Sequence, residues 1–137
     1  MYVARFRNTH RSGAHPEFLR GYGMQGGAGG RGRWSGPGHG TDWKKRMLTE
    51  LGPWGIGING WGEMLPDAKN HLALDPTVKD AWGIPALRIT ARWSENERKM
   101  QDDMVRTATE MLEAAGATGI YQNRSNNPPG LCIHEMG

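Results

Sequence analysis

Residues Ala86–Gly116 read ALRITARWSENERKMQDDMVRTATEMLEAAG and contain the two clearest signals of secondary structure in the chain. In the first part, apolar and polar side chains alternate with a period of two, which predicts a strand over Ala86–Trp93. Leu87 and Ile89 are expected on a buried face. Arg88 and Arg92 lie on the other face, which is either solvated or the floor of an anion-tolerant or sugar-binding cleft.

The second part of this stretch predicts the best helix of the chain. Ser94 and Glu97 have the spacing of a capping box, in which each side chain accepts a hydrogen bond from the other's backbone N–H. Gly116 suits the end of the helix. Between them, apolar residues recur with helical spacing and are expected to pack on a sheet: Met100, Met104, Val105, Ala108, Met111, Leu112 and Ala115.

The rest of the chain supplies weaker elements. Thr41 is a suitable N-cap for a helix that Gly52-Pro53 ends. The predicted elements are a strand at Val3–Phe6, a helical turn at His15–Arg20, a helix at Thr41–Leu51, and strands at Trp54–Leu65, His71–Asp75 and Thr118–Gln122. Together these elements predict an α+β fold, with a mainly antiparallel sheet covered by helices.

Half of the residues between Gly21 and Gly40 are glycine. We expect a loop here, because glycine supplies no side chains for a core. The loop could cover a substrate cleft, form an RGG-like arm for nucleic acid with Arg31, Arg33 and Trp34, or be a passive linker. The domain prediction is therefore a basic Gly-rich loop segment over residues 1–40 and a separate domain over residues 41–137.

Charge divides the chain in the same way. Lys and Arg outnumber Asp and Glu by nine to three in residues 1–50, whereas residues 51–137 hold eight against eleven. A basic first third could face phosphates, an acidic partner domain or solvent.

The lone Cys132 excludes an intrachain disulfide and suits packing better than catalysis. The start of the chain has no long apolar run typical of a signal peptide.

Two segments match the glycine pattern of dinucleotide-binding turns: Gly21-x-Gly23-x-x-Gly26 and Gly55-x-Gly57-x-x-Gly60. The chemistry requires a buried strand before the glycines and a helix after them, so that the pyrophosphate lies at a helix N-terminus. More glycine follows the first match, and Pro66 follows the second too closely for a helix. We predict that neither segment binds a dinucleotide.

The last ten residues, Pro128–Gly137, carry His134 on a short apolar run. Its free pKa lies near neutrality, so it could accept a proton. A lone histidine between apolar residues is, however, more often a packing residue than a catalyst.

Four segments occur in an order that resembles glucose-methanol-choline (GMC) oxidoreductases, in the sugar-oxidising branch with pyranose oxidases and bacterial glycoside dehydrogenases. Gly130–Gly137 is similar to the first half of the family's His-x-x-Gly-Thr signature. Gly62–Pro66, Asn70–Pro76 and Asp80–Pro85 are similar to successive segments of its substrate domain. The resemblance covers roughly residues 50–137, and it implies that residues 41–137 are a substrate-binding domain fragment.

The resemblance implies a function and a set of partners. His134 occupies the family position of the proton acceptor for oxidation of a CH–OH group of a sugar or glycoside, with the hydride passing to FAD. The FAD belongs to an N-terminal flavin domain that this chain lacks, and the family's second active-site residue would follow Gly137. An electron-acceptor subunit is a further possible partner. The chain alone is expected to be inactive.

Two other interpretations remain open. A histidine after Gly137 would complete the zinc-peptidase motif His134-Glu135-x-x-His, with Glu135 as the base. A non-enzymatic basic module would use its N-terminal arginines to bind nucleic acid with a steep salt dependence. The acidic second half of the chain disfavours this module, so we predict no nucleic-acid partner. The sequence has no long apolar run, so we also predict no membrane span. The remaining histidines, His10, His15, His39 and His71, show no metal-ligand spacing.

Overall fold

The computed structural model describes residues 1–30, 32–124 and 127–130. Within them the chain has an α+β fold, as the sequence predicts, with two antiparallel sheets and two helices. The strands are β1 (Tyr2–Val3), β2 (Tyr22–Gly29), β3 (Gly55–Gly62), β4 (His71–Lys79) and β5 (Pro85–Thr90); the helices are α1 (Gly40–Thr49) and α2 (Glu95–Ala114).

The first sheet has the order β1-β2-β3, and its central strand β2 corrects the prediction of a loop over Gly21–Gly40. β2 pairs with β3 along its whole length, from Tyr22 opposite Gly62 to Gly29 opposite Gly55. Antiparallel pairing uses backbone hydrogen bonds only, so a glycine-rich segment forms a strand when a second strand is available. The assignment of residues 41–137 to a substrate domain stays a prediction. Strands β1 and β2, from the segment before residue 41, share this sheet with β3.

One face of this sheet and helix α2 enclose the core. Phe18, Tyr22, Met24 and Met100 are buried, and Met104 packs against them. The helix lies close to β3 because that strand has glycine where it passes beneath: a Cβ built on Gly60 would lie 2.6 Å from the sulfur of Met104. The predicted packing of the methionine stripe on a sheet is confirmed.

Helix α2 begins with the predicted capping box. The Ser94 backbone N–H donates to Glu97 Oε2 at 2.8 Å, and the Ser94 hydroxyl accepts from the start of the helix. Glu97 is buried, and its other oxygen accepts from Leu65 N–H at 3.1 Å. Burial raises the pKa of the Glu97 carboxyl, but these hydrogen bonds outweigh that effect and hold the pKa below its ordinary value. Glu97 thus caps α2 and also holds the chain segment that follows β3.

The second sheet is the β4–β5 hairpin. Leu72 pairs with Ile89 and Leu74 with Leu87, so these four side chains share one face, called the hairpin face below. All four are exposed. The prediction of a buried face on β5 is therefore wrong: the alternation marks a strand correctly, but no described element covers this side of it.

The turns of the hairpin are ordered by two aspartates. Asp75 accepts hydrogen bonds from the backbone N–H groups of Val78 and Thr77, each at 2.9 Å, and they lower its pKa to about 2. Asp80 accepts from the N–H groups of Trp82 and Ile84 at 2.8 and 2.9 Å. The tip therefore has a defined backbone while Trp82 and Ile84 remain exposed.

Three further predictions differ from the structure. Helix α1 starts at Gly40 after His39, with no side-chain cap, so Thr41 is not its N-cap. Residues 15–20 form bends and no helical turn, because side-chain hydrogen bonds from Asn8 organise that segment. Residues 118–122 are not a strand; Gly116 and Gly119, with φ of 79° and 64°, turn the chain there.

Neither described helix is long and apolar enough to cross a membrane.

Candidate functional site

A buried carboxylate, Asp103, is the centre of a polar cluster between the N-terminal segment and α2. Arg7 Nε donates to its Oδ2 at 2.8 Å, and the Tyr22 hydroxyl donates to the same oxygen. Thr107 lies 3.1 Å from the Tyr22 hydroxyl, and Arg106 pairs with the other carboxylate oxygen. Burial raises the pKa of Asp103, but hydrogen bonds from Tyr22 and Arg7 outweigh it, so the pKa lies below its ordinary value.

This cluster stabilises the fold and is a poor candidate for proton transfer. Burial and the bond to Asp103 raise the pKa of the Tyr22 phenol, which keeps it protonated at neutral pH. Among the described residues no buried polar side-chain atom lacks a hydrogen-bond partner. A catalytic group needs capacity to accept or release a proton near the working pH, and Asp103 and Tyr22 are both shifted away from it.

The loop between β1 and β2 is organised by Asn8 and His15. Asn8 adopts φ of 52°, and its amide donates to Phe18 O at 2.9 Å while its oxygen accepts from the His15 backbone N–H. The His15 ring stacks on Phe18 with centroids 4.1 Å apart, and its Nε2 is 3.9 Å from Asp103 Oδ1. His15 is therefore positioned as a packing residue.

An open depression of about 670 Å³ lies beside this loop, lined in part by Arg5, Arg20 and Leu65. Both arginines face Glu63: Arg5 at 2.6 Å and Arg20 at 3.8 Å. Glu63 compensates only one of these two positive charges, so the depression retains a weak attraction for an anionic ligand.

The outward face of β2 and β3 is the stronger candidate. Successive residue pairs on this face are Gln25 with Asn59, Gly27 with Gly57, and Gly29 with Gly55. These residues define the glycine face. Among the described residues, a Cβ built at Gly27, Gly55 or Gly57 meets nothing within 4 Å, and none of the three has a positive φ.

Neither packing nor backbone conformation thus selects glycine at these three positions. Glycine inside a strand costs about 0.5–1 kcal/mol relative to alanine, and it often marks a place where a ligand or another backbone approaches closely. The amides of Gln25 and Asn59 are exposed beside this bare backbone, and neither has a hydrogen-bond partner among the described residues. The glycine face can therefore offer flat backbone and amide groups to a polar, hydroxyl-bearing ligand.

Sequence reasoning found only part of this site. The small residues between Ile56 and Ile58 predict a strand that passes close beneath a ligand or another backbone, and β3 is such a strand. The other half of the face, from β2, was missed because Gly21–Gly40 was interpreted as a loop. The available signal was the spacing of positions 25, 27 and 29, because alternate residues share one face when a segment forms a strand.

The predicted catalytic residue, His134, lies outside the described residues, as do Cys132 and Glu135. The zinc-motif interpretation therefore falls on the same segment. Within residues 1–30, 32–124 and 127–130, no group of three or more His, Cys, Asp or Glu is placed to hold a metal ion.

The described residues do not fit an FAD site. Most of the first glycine pattern, from Gly23 to Gly26, lies in β2, and Gly55–Gly60 lies in β3. Both strands are extended and pair antiparallel with each other, so neither pattern leads into a helix N-terminus where a pyrophosphate could lie.

Comparison with known proteins relates part of the chain to a flavoprotein. The chain is 31% identical over 78 residues to the gluconate 2-dehydrogenase flavoprotein of Pantoea cypripedii. The match covers 57% of this chain and 12% of that protein, so this chain corresponds to a small part of the relative. No family model matches the chain. No solved structure matches it either.

Proposed function

We propose that this chain is part of the substrate domain of an FAD-dependent oxidoreductase that acts on CH–OH groups of sugars or glycosides. The observation that carries the proposal is the 31% identity over 78 residues to a gluconate 2-dehydrogenase flavoprotein. The ordered resemblance of residues 50–137 to the GMC family supports it. In this proposal the FAD and its binding domain belong to another part of the parent protein, and the sugar is the partner of this chain.

The glycine face is the proposed surface for the substrate. Sugar hydroxyls both donate and accept hydrogen bonds, which matches the exposed amides of Gln25 and Asn59. Bare strands at Gly27 and Gly57 let a flat ring approach the backbone. Trp61 continues this face opposite Gly23 and is 46% exposed.

His134 is the proposed proton acceptor. Oxidation of a CH–OH carbon requires loss of the hydroxyl proton, and a base positioned near that carbon contributes about 10²–10⁴-fold to such a step. The assignment of this role to His134 derives from the family resemblance. In this proposal the family's second active-site residue, like the FAD, belongs to another part of the parent protein, so we expect the isolated chain to be inactive and to bind no FAD. A purified chain that carries one yellow flavin per molecule would overturn this expectation.

A segment exchange tests the parent reaction. In the Pantoea cypripedii flavoprotein, this chain replaces the region that it matches, and the chimera is assayed for flavin content and for flavin bleaching by gluconate and by neutral sugars. We expect a flavin-loaded chimera that one of these compounds reduces. His134→Ala should retain flavin but slow its reduction by about 10²–10⁴-fold. Equal reduction rates in both proteins would contradict the role of His134.

A binding experiment on the chain itself tests the glycine face independently. We expect gluconate or a neutral sugar to shift the NMR signals of Gln25, Asn59 and Gly57. Gly57→Val should abolish these shifts without unfolding the chain, because a side chain there meets open space. Gly32→Val is the matched control, since Gly32 also has open space but lies outside the face. Shifts that persist in Gly57→Val would contradict the assignment.

A further inference from the structure

Strand β3 forms an edge of the first sheet, where it pairs with β2 on one side and with no described strand on the other. Its residues Gly55–Gly62 include no charged residue and no proline, and its register with β2 shows no bulge. Natural sheets protect long edges with such features, because unpaired backbone groups can bind another strand. The regular edge of β3 lacks them and is therefore suited to pairing with a further strand.

The backbone groups on this edge belong to the even-numbered residues of β3. The Glu63 N–H donates to Gly21 O at 3.2 Å, so the odd-numbered residues bond to β2 and the even-numbered residues point away from it. Every residue of β3 except Ile58 is exposed, so a second strand can reach them. The outward N–H and C=O groups, which bind no other described residue, define the β3 edge and belong to Ile56, Ile58, Gly60 and Gly62.

Helix α2 has an apolar strip that extends past the β3 edge. Asp103 faces β2 through the Tyr22 hydroxyl, whereas Met104 faces β3 at Gly60. Because successive helix residues are about 100° apart, the sector after Met104 lies beyond β3. This sector is apolar and only half-buried, and it contains Val105, Ala108 and Leu112. The helix is thus wider than the described sheet beneath it and has room for one more strand.

The pattern of large and small residues in β3 favours the same strand of a second copy as the partner. In an antiparallel pair centred on Asn59, each large side chain lies opposite a glycine: Ile58 opposite Gly60, Ile56 opposite Gly62 and Trp61 opposite Gly57. A twofold contact requires a surface that is complementary to itself, and this register provides one. The outward backbone groups of the two copies also align in it and can form about eight hydrogen bonds.

This register leaves room for the helices of both copies. Helix α2 contacts β3 at Gly60 and Gly62, near one end of the strand. Antiparallel pairing places these glycines of one copy beside Ile56 and Ile58 of the other, so the two helices are offset by about 13 Å along the strands. That offset exceeds the about 8–10 Å between the axes of packed helices. Each helix strip then lies above the isoleucines of the other copy.

We propose that two copies of this chain associate through the β3 edge and form one continuous antiparallel sheet across a twofold axis. This inference does not depend on the proposed oxidoreductase function, because it uses only strand β3 and helix α2.

Analytical ultracentrifugation over about a hundredfold range of concentration tests the proposal, because a dimer follows mass action. We expect a reversible monomer–dimer equilibrium. Asn59→Asp should weaken association about tenfold, because two carboxylates would lie directly opposite each other at the twofold axis. An equimolar mixture of Asn59→Asp and Asn59→Lys should restore association through a pair of opposite charges.

Gln25→Asp is the matched control. Gln25 is exposed on the same face and lies opposite Asn59, but it belongs to the central strand β2 and is distant from the β3 edge. Its substitution should leave association unchanged. A monomer at every concentration would overturn the proposal. Association that survives Asn59→Asp, that Gln25→Asp weakens equally, or that the Asp and Lys mixture does not restore would overturn it as well.

NMR spectra of the unmodified chain at two concentrations provide a second measurement that needs no variant. Raising the concentration should shift the amide signals of Ile56, Ile58 and Gly60, because their N–H groups gain hydrogen-bond acceptors in the dimer. The signals of Gly40–Thr49 in α1 should not move. Unchanged signals in β3, or equal shifts in α1, would contradict pairing at the β3 edge.

Discussion

Two regions of the molecule arise from similar local sequence signals but differ in how far their side chains are buried. One is the β1–β3 sheet with α2, and the other is the β4–β5 hairpin. In the first region, Tyr22, Met24 and Met100 are buried, and Arg7 and Asp103 tie the N-terminal segment to the helix. In the hairpin, apolar and polar side chains alternate along the strands and the turns are ordered, but the leucines are exposed. Secondary structure thus forms in both regions, but in the part of the chain that the structure describes only the first region has a second layer to pack against.

The largest expected contrast comes from truncating one apolar side chain in each region. Met100→Ala should lower the free energy of unfolding by about 3 kcal/mol, because it removes a buried side chain and leaves a cavity. Leu87→Ala should change it by less than about 0.5 kcal/mol, since that side chain is exposed. Urea unfolding of dilute protein measures both values, and equal effects would mean that the hairpin face is buried in solution.

The next contrast concerns two neighbouring aspartates of α2. Asp103→Ala should cost about 2–3 kcal/mol, because it leaves Arg7 and the Tyr22 hydroxyl without their shared acceptor. Asp102→Ala removes only an exposed pair with Arg124 and should cost less than about 1 kcal/mol. The same urea experiment compares them; similar costs would show that the buried cluster does not anchor the N-terminal segment.

Acid should destabilise the anchored region through the same groups. The folded-state pKa values of Asp103 and Glu97 lie below their ordinary values. Their stabilising contribution is therefore present above the unfolded-state pKa, about 4, and is lost as pH falls through the folded-state values. We expect the free energy of unfolding to fall below about pH 4, with a shallower decline in Asp103→Asn. A constant value down to about pH 2 would contradict the assignment.

The smallest contrast compares two glycines of β3. Gly60→Ala should cost about 1–2 kcal/mol, because the new methyl group would press on Met104. Gly57→Ala should stabilise the chain by up to about 1 kcal/mol, since its Cβ meets open space and glycine is unfavourable inside a strand. If Gly57→Ala were as costly as Gly60→Ala, the glycine face would be covered by another part of the chain.

Local signals in the sequence predicted the parts of the fold that local chemistry determines. The Ser94–Glu97 capping box, the helix with its methionine stripe and the strand after Pro85 were all predicted near their observed positions. These signals depend on residues a few positions apart, and the α+β class follows from them.

Signals that depend on distant segments were missed. β2 is a strand because β3 pairs with it from about thirty residues away, and the glycines of β2 gave no local indication of this. The exposure of Leu87 could not be read from alternation, which predicts that a strand has two faces but not that the described residues leave its apolar face uncovered. Half of the candidate site was missed for the same reason, and His134, predicted from family resemblance, falls outside the described residues.

Native-state hydrogen exchange on dilute chain tests the central contrast most directly. We predict that amides of α2, β2 and β3 exchange slowest and share a similar opening free energy, because the common core and the Asp103 cluster hold them together. Amides of β4 and β5 should exchange at least about a hundredfold faster, since no second layer formed by the described residues protects them. Protection of the hairpin equal to that of α2 would contradict the account, because it would show that the hairpin face is covered within a single chain.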